Sequence, residues 1–470
     1  MDPPINLVWG KPAPSLLPVE ELAQTMQSIL SRPDAATDAL EYGDPVGPPA
    51  LRDQLAQWLT GLYGTPNAMD EICITSGASQ GLAVVLQVLS DPLYTQRVWV
   101  VTPCFHLGCK TFEDAGLAGK LRAVPETSAG IDLDHLEREL QQFESESSVG
   151  PALGTPQPPP RTAKPVDPAR RFYRHLIYLV PTFSNPSGRT VPLVQRQRLV
   201  ALARRFDALV ISDDIYDHLP YPPAVQVDNN TKADPATATA ILPRFIDIER
   251  TMGGSSSSSE HSLGHTLSIG SFSKMIGPGV RTGWISASPG LTKALAGVGA
   301  SQAGGCPSQL GAALVAEFMA QGHLARHVRH TLLSAYARRR GLMTAAVREL
   351  LGPLGARVAE DEDGGGRAGG FFVWLRLPAG LDGARVAARC AASAALAVLP
   401  GAAFEVPSDR RGELGPYLRL CFAWEAEGNI RPGVRRLAAV VRAMLLEGSG
   451  SGGTDGDFDW KAALMDSLKK

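Results

Sequence analysis

Ser271-Phe272-Ser273-Lys274-Met275-Ile276-Gly277-Pro278-Gly279-Val280-Arg281-Thr282-Gly283-Trp284 sets one lysine between small hydroxyl residues and follows it with a glycine turn and an arginine. A lysine amine can attack a carbonyl to form a Schiff base, and hydroxyls with a guanidinium can hold a phosphate dianion. Glycines let backbone come close to a ligand. The stretch therefore suits a phosphorylated aldehyde, and the cofactor that fits is pyridoxal 5'-phosphate.

The pattern resembles the lysine segment of the class I/II aminotransferases, the fold-type I pyridoxal-phosphate enzymes, and within them the aminoadipate/kynurenine aminotransferase-like group. The resemblance covers about residues 5–446. It implies an α/β fold: a large domain with a mostly parallel, seven-stranded sheet between helices, and a smaller C-terminal α/β domain. It places residues 1–40 as an N-terminal segment joining the small domain, 41–310 as the large cofactor-binding domain, 311–447 as the small domain and 448–470 as a tail.

The bulk properties agree with an enzyme of that kind. A chain of 470 residues with a net charge of −2 has material for a large core and no global attraction to nucleic acid or anionic membrane. The six cysteines show no CxxC pairs and no zinc-ligand spacing, which points to reduced thiols and no metal site. The N-terminus lacks a basic, then apolar, leader, and no apolar run approaches the roughly 18 residues of a membrane span. A cytoplasmic location is expected.

Three stretches break the globular texture. Residues 144–171 end in Gln157-Pro158-Pro159-Pro160, residues 227–265 hold the run from Ser255 to Ser259, and a Gly/Ser-rich connector begins at Gly448. The first two read as surface insertions and the third as a frayed tail. Elsewhere, apolar runs such as Ile72 to Thr75, Val98 to Val101, Leu176 to Val180, Ala208 to Ser212 and Leu267 to Gly270 alternate with helix-period segments, one of them from Gly81 to Leu89. That alternation predicts a parallel sheet covered on both faces.

Further motifs fall in the family's order. In Thr75-Ser76-Gly77-Ala78-Ser79 a strand turns into a helix, so the Ala78 and Ser79 N–H groups and the Ser79 hydroxyl lie at a helix N-terminus, an anion site. Ile211-Ser212-Asp213-Asp214-Ile215-Tyr216 ends a buried strand in carboxylates, where open α/β sheets bind ligands. A carboxylate at Asp213 against the cofactor's pyridine nitrogen would keep that nitrogen protonated. Asp214 receives no role.

The remaining roles are implied by the resemblance. Phe105 lies where the family places a ring on the cofactor, with a core position as the alternative, and the neighbouring His106 reads as packing. Asn185, in Asn185-Pro186-Ser187-Gly188, and Tyr216 would hydrogen-bond the cofactor's 3′-oxygen. Ser271, Ser273 and Arg281 would hold the phosphate and Lys274 would be the Schiff-base lysine. Arg419 would grip the substrate α-carboxylate, with a structural ion pair as the alternative, and Gly10 would lie near the substrate. Tyr42 would reach the phosphate of a neighbouring subunit, making a homodimer with a shared site.

Together these imply an aminotransferase moving an amino group between an L-amino acid and a 2-oxo acid by a ping-pong route, with Lys274, Asp213 and Tyr216 as catalytic residues. A pyridoxal-phosphate lyase, decarboxylase or carbon–carbon bond-forming enzyme is the alternative. A non-catalytic regulator is disfavoured, since the enzyme-like region starts at the first residues. The arm that covers the substrate in relatives is expected to be short here, so side-chain specificity is not legible.

Overall fold

The computed structural model describes residues 3–147, 161–165, 170–221, 241–252, 263–359 and 367–448. The tail beyond 448 and most of both expected insertions lie outside the described residues.

The larger sheet runs Ile72–Thr75, Gly283–Ser286, Thr266–Ser271, Ala208–Asp213, His175–Leu179, Arg97–Thr102, Leu121–Thr127 and Gly130–Ile131. The five strands from Thr266–Ser271 to Leu121–Thr127 are mutually parallel. Gly283–Ser286 is antiparallel to both its neighbours, as is the two-residue Gly130–Ile131 to its one neighbour. Seven strands thus carry the sheet and the eighth is a short addition.

Side-chain alternation explains why these runs are apolar throughout. Leu209, Ile211, Leu176, Tyr178, Val98 and Val100 pack in one core cluster. The intervening Ala208, Val210, Ile177, Leu179, Trp99 and Val101 pack in another on the opposite face. With both faces buried, polar side chains are left to the strand ends, and Asp213 and Ser271 sit at the carboxyl ends of adjacent parallel strands. That edge is where open α/β sheets place ligands.

The helix after Ile72–Thr75 spans Ala78–Leu89, three residues earlier than its apolar period suggested. Gly77, at φ 90°, makes the turn, and Gln80 Oε1 accepts from the Ser76 N–H at 3.0 Å, so the polar residues 78–80 belong to the first turn. Within the second expected insertion, the described residues include the helix Phe245–Thr251.

A second, antiparallel sheet runs Arg357–Val358, Phe372–Arg376, Tyr417–Cys421 and Leu399–Pro400. The chain start joins it from the side, since Ile5–Asn6 pairs in parallel with Leu396–Ala397. This pairing carries residues 7–10 onward toward the end of the larger sheet. No helix among the described residues is long and apolar enough to cross a membrane.

Candidate active site

Lys274 follows the Thr266–Ser271 strand at the end of a single 3-10 turn, Phe272–Lys274. Ser271 Oγ accepts from the Ser273 N–H at 3.2 Å, and Phe272 is buried against Trp284 with ring centroids 5.0 Å apart. Strand end, serine cap and buried phenylalanine together fix the direction in which the lysine leaves the backbone. Its amine donates to the Gly10 carbonyl at 2.6 Å and lies 5.6 Å from the ring centroids of Tyr216 and Phe371. Burial pushes the Lys274 ammonium down to about 8, with Cys421 and Asp213 pulling the other way.

Asp213 is buried, and Tyr178 Oη donates to its Oδ2 at 2.9 Å. Ile211 faces Tyr178 in register, so this bond joins diagonal neighbours on one face of two adjacent strands. The other carboxylate oxygen, Oδ1, is buried and has no hydrogen-bond partner among the described residues. Burial raises the Asp213 carboxyl to about 7, against the lowering effect of the Tyr178 bond. Asp214 is a structural residue: it is buried and accepts from the Ser212 and Ser268 hydroxyls. Tyr216 packs edge-on to Phe371 and Phe372 at 5.5 and 5.9 Å, and burial holds its phenol protonated.

Arg419 comes from the second sheet. Its Nη1 donates to Asn185 Oδ1 at 2.8 Å and its Nη2 to the Val8 carbonyl, while its Nε is buried with no partner among the described residues. The guanidinium lies 4.1 Å from the Phe372 ring and 5.1 Å from Phe404. The structural ion pair weighed from the sequence is not formed among the described residues, and the partners are carbonyl oxygens instead. Burial lowers the guanidinium to about 10.

Gly77, Ala78 and Ser79 open the Ala78–Leu89 helix beside Arg281, which takes the left-handed conformation at φ 49°. Arg281 Nη2 donates to the Ser76 carbonyl at 2.6 Å, and a Cβ on Gly77 would lie 2.8 Å from that same nitrogen. The Ser271 and Ser273 hydroxyls are 2.8 Å apart. Phe105 is half-buried at the N-cap of helix His106–Phe112, and His106 packs edge-on to Phe404 at 5.7 Å. Tyr42 is 84% exposed, and Ser79 and Arg281 also lie exposed on the single chain.

Four side chains and two backbone carbonyls of the site leave no trace in the motifs. Tyr178 is a hydroxyl in a buried strand beside the Asp213 strand, a signal that strand pairing would have supplied. Cys421 shares Arg419's face two residues on, and Phe371 and Phe372 follow the conspicuous Gly369-Gly370. The Val8 and Gly10 carbonyls are backbone atoms and leave no mark in the side-chain pattern.

Residues 4–437 match the family described as aminotransferase class I and II. The chain belongs to this family. It is 31% identical to an uncharacterised protein of Saccharomyces cerevisiae over 93% of this chain and 97% of that one. To aromatic-amino-acid aminotransferase 1 of Thermococcus litoralis it is 27% identical, over 93% of this chain and 88% of the relative. Among solved structures it is similar to LysN, the α-aminoadipate aminotransferase of Thermus thermophilus complexed with N-(5'-phosphopyridoxyl)-L-leucine. That match has a TM-score of 0.71 and 25% identity, covering 94% of this chain and 93% of LysN.

Class I and II aminotransferases use pyridoxal phosphate. The residues of this aminotransferase fit that group. The partnerless Oδ1 of Asp213 is a buried acceptor suited to a protonated ring nitrogen. Gly77 keeps open a cradle beside Arg281 that any side chain would fill. Half-buried Lys274 presents an amine whose ammonium is pushed down to about 8.

Proposed function

We propose that the chain moves an amino group from an L-amino acid to a 2-oxo acid in two half reactions of ping-pong form, at the site built on Lys274, Asp213 and Arg419. The observation that carries this reading is that one site unites a half-buried amine near neutrality with a buried carboxylate oxygen and a buried guanidinium nitrogen that have no partner among the described residues. Each has the chemistry of one part of the reaction.

Pyridoxal phosphate, when bound, supplies an electron sink for the charge that develops at the substrate Cα. Asp213 Oδ1 would hold a proton on the ring nitrogen, with Tyr178 keeping the carboxylate oriented. Tyr216, a neutral phenol, and Asn185 would hydrogen-bond the ring's 3′-oxygen, and Phe105 would pack against the ring. Ser271, Ser273, Arg281 and the N–H groups of Ala78 and Ser79 would hold the phosphate. Arg419 takes the substrate α-carboxylate through Nε while Asn185 steadies Nη1, and Gly10 lines the substrate. Lys274 Nζ takes the proton from the substrate Cα and returns it in the reverse half reaction. The exposed Tyr42 reaches the phosphate of a second copy, so the working form is a homodimer, in the cytoplasm.

The test is a spectral and kinetic screen against amino acids. The loaded wild-type protein shows a visible absorbance band that an amino donor bleaches and a 2-oxo acid restores. Lys274→Ala loses both the band and turnover; retained turnover would sink this assignment.

A further inference from the structure

Residues 7–10 cross the site as a strap, and four consecutive carbonyls on it are held from two other elements. The Leu7 carbonyl accepts from the Cys421 backbone N–H at 2.7 Å and the Val8 carbonyl from Arg419 Nη2. The Trp9 carbonyl accepts from Cys421 Sγ at 3.0 Å and from the Lys11 N–H at 2.9 Å. The Gly10 carbonyl accepts from Lys274 Nζ at 2.6 Å. Cys421 thus holds two of the four, and its side chain holds the one that precedes the carbonyl on Lys274.

We propose that Cys421 is a positioning residue: its thiol donates to the Trp9 carbonyl, fixes the peptide entering Gly10, and so sets where the Gly10 carbonyl meets the Lys274 amine. The proposal deepens the amino-transfer reading and rests on it for its kinetic consequence. Arg419 and Cys421 are two apart on Tyr417–Cys421, so both side chains leave the same face of the strand, opposite Leu418 and Leu420; Cys421 is as fully buried as the two leucines. The thiol is buried, and burial keeps it protonated, as a donor must be, although Arg419 and Lys274 pull the other way. The strap has little freedom on its other side, because a Cβ at Gly10 would lie 2.7 Å from Phe372 Cζ. Pinned by Phe372 and steered by Cys421, the Gly10 carbonyl has one position to offer.

The experiment compares Cys421→Ala, Cys421→Val and Cys421→Ser as cofactor-loaded proteins. Valine fills the space without a donor and stands in for alanine if the smaller side chain does not fold; serine keeps a donor. Without the donor, amide hydrogen exchange in a peptide spanning residues 7–11 is faster, and KM for the amino donor rises about three- to five-fold, the scale of one intramolecular hydrogen bond. Cys421→Ser returns both toward wild type. A merely structural defect would lower the melting temperature and active fraction without this separation between valine and serine. Wild-type exchange and wild-type KM in the donorless variants would overturn the proposal, as would a serine variant that behaves like valine. If the wild type transfers no amino group from any donor, the functional reading fails, and the exchange measurement still decides whether the thiol anchors the strap.

Discussion

Tyr178 Oη donates to one oxygen of Asp213 at 2.9 Å, and the other oxygen of that carboxylate is buried with no partner among the described residues. A half-satisfied buried carboxylate is a stability cost, and function is where proteins keep such costs. The pair is therefore the place where demands for stability and for activity separate most clearly.

Replacing Asp213 with asparagine is expected to stabilise the cofactor-free protein and disable the enzyme. Burial takes the carboxyl from 3.8 to about 7, so between those values the native state binds more protons than the unfolded chain. Native stability from this group is present in acid and lost as the pH rises through 7. Asp213→Asn removes that loss, so the cofactor-free variant gains about 1–4 kcal/mol at pH 8 and close to nothing at pH 4. Turnover of the loaded variant falls about 10²–10³-fold, the scale for losing one preorganised electrostatic group. Thermal melts at the two pH values, beside steady-state rates, measure both halves; equal melting at pH 8 would show that the native state tolerates the charge.

Lys274 has the opposite sign. Its ammonium falls from 10.5 to about 8, so between those values the unfolded chain holds a proton that the native state has released. Stability rises with pH across that window and is lost as the pH falls through 8. Cofactor-free Lys274→Met is expected to melt above wild type at pH 7, the difference closing toward pH 10.5. Uptake of added pyridoxal phosphate by wild type rises with a midpoint near 8, and Asp213→Asn, by removing a carboxylate that favours the ammonium, moves that midpoint lower. A midpoint unmoved by the substitution would mean that the two groups do not sense each other.

What was legible in the sequence follows from where chemistry leaves a trace in residue identity. Lys274, Asp213, Asn185 and Arg419 stand out because each is a polar residue placed beside turn signals or at the end of an apolar run. The structure brings Asn185 to Arg419 and places Lys274 and Asp213 close enough for their charges to couple. The start of the Ala78–Leu89 helix was misplaced because its first turn is polar and capped by a glycine turn and Gln80, which hydrophobic period does not register. Cysteine spacing registers disulfides and metal sites but not a lone thiol that donates to a backbone carbonyl, as Cys421 does to Trp9. The strap was beyond reach, since the Val8 carbonyl meets a guanidinium 411 residues away in sequence, and backbone oxygens are the same in every residue.

The strap's dependence on Gly10 can be tested through the residue beneath it. A Cβ at position 10 would lie 2.7 Å from Phe372 Cζ and 3.1 Å from Cε1. That ring is buried and has Tyr216 on one side and the Arg419 guanidinium 4.1 Å from its centroid, so it cannot yield without moving one of them. Gly10→Ala is therefore expected to lower kcat/KM about 10–100-fold, matching the roughly 1–3 kcal/mol typical of overpacking a filled site. Phe372→Leu removes the clashing ring atoms and is mildly harmful alone, because Arg419 loses its aromatic neighbour. If the contact is the cause, the double variant is more active than Gly10→Ala by itself, a coupling of opposite sign to the single effects. If the losses simply multiply, the glycine is required for another reason, such as the backbone conformation that presents its carbonyl to Lys274.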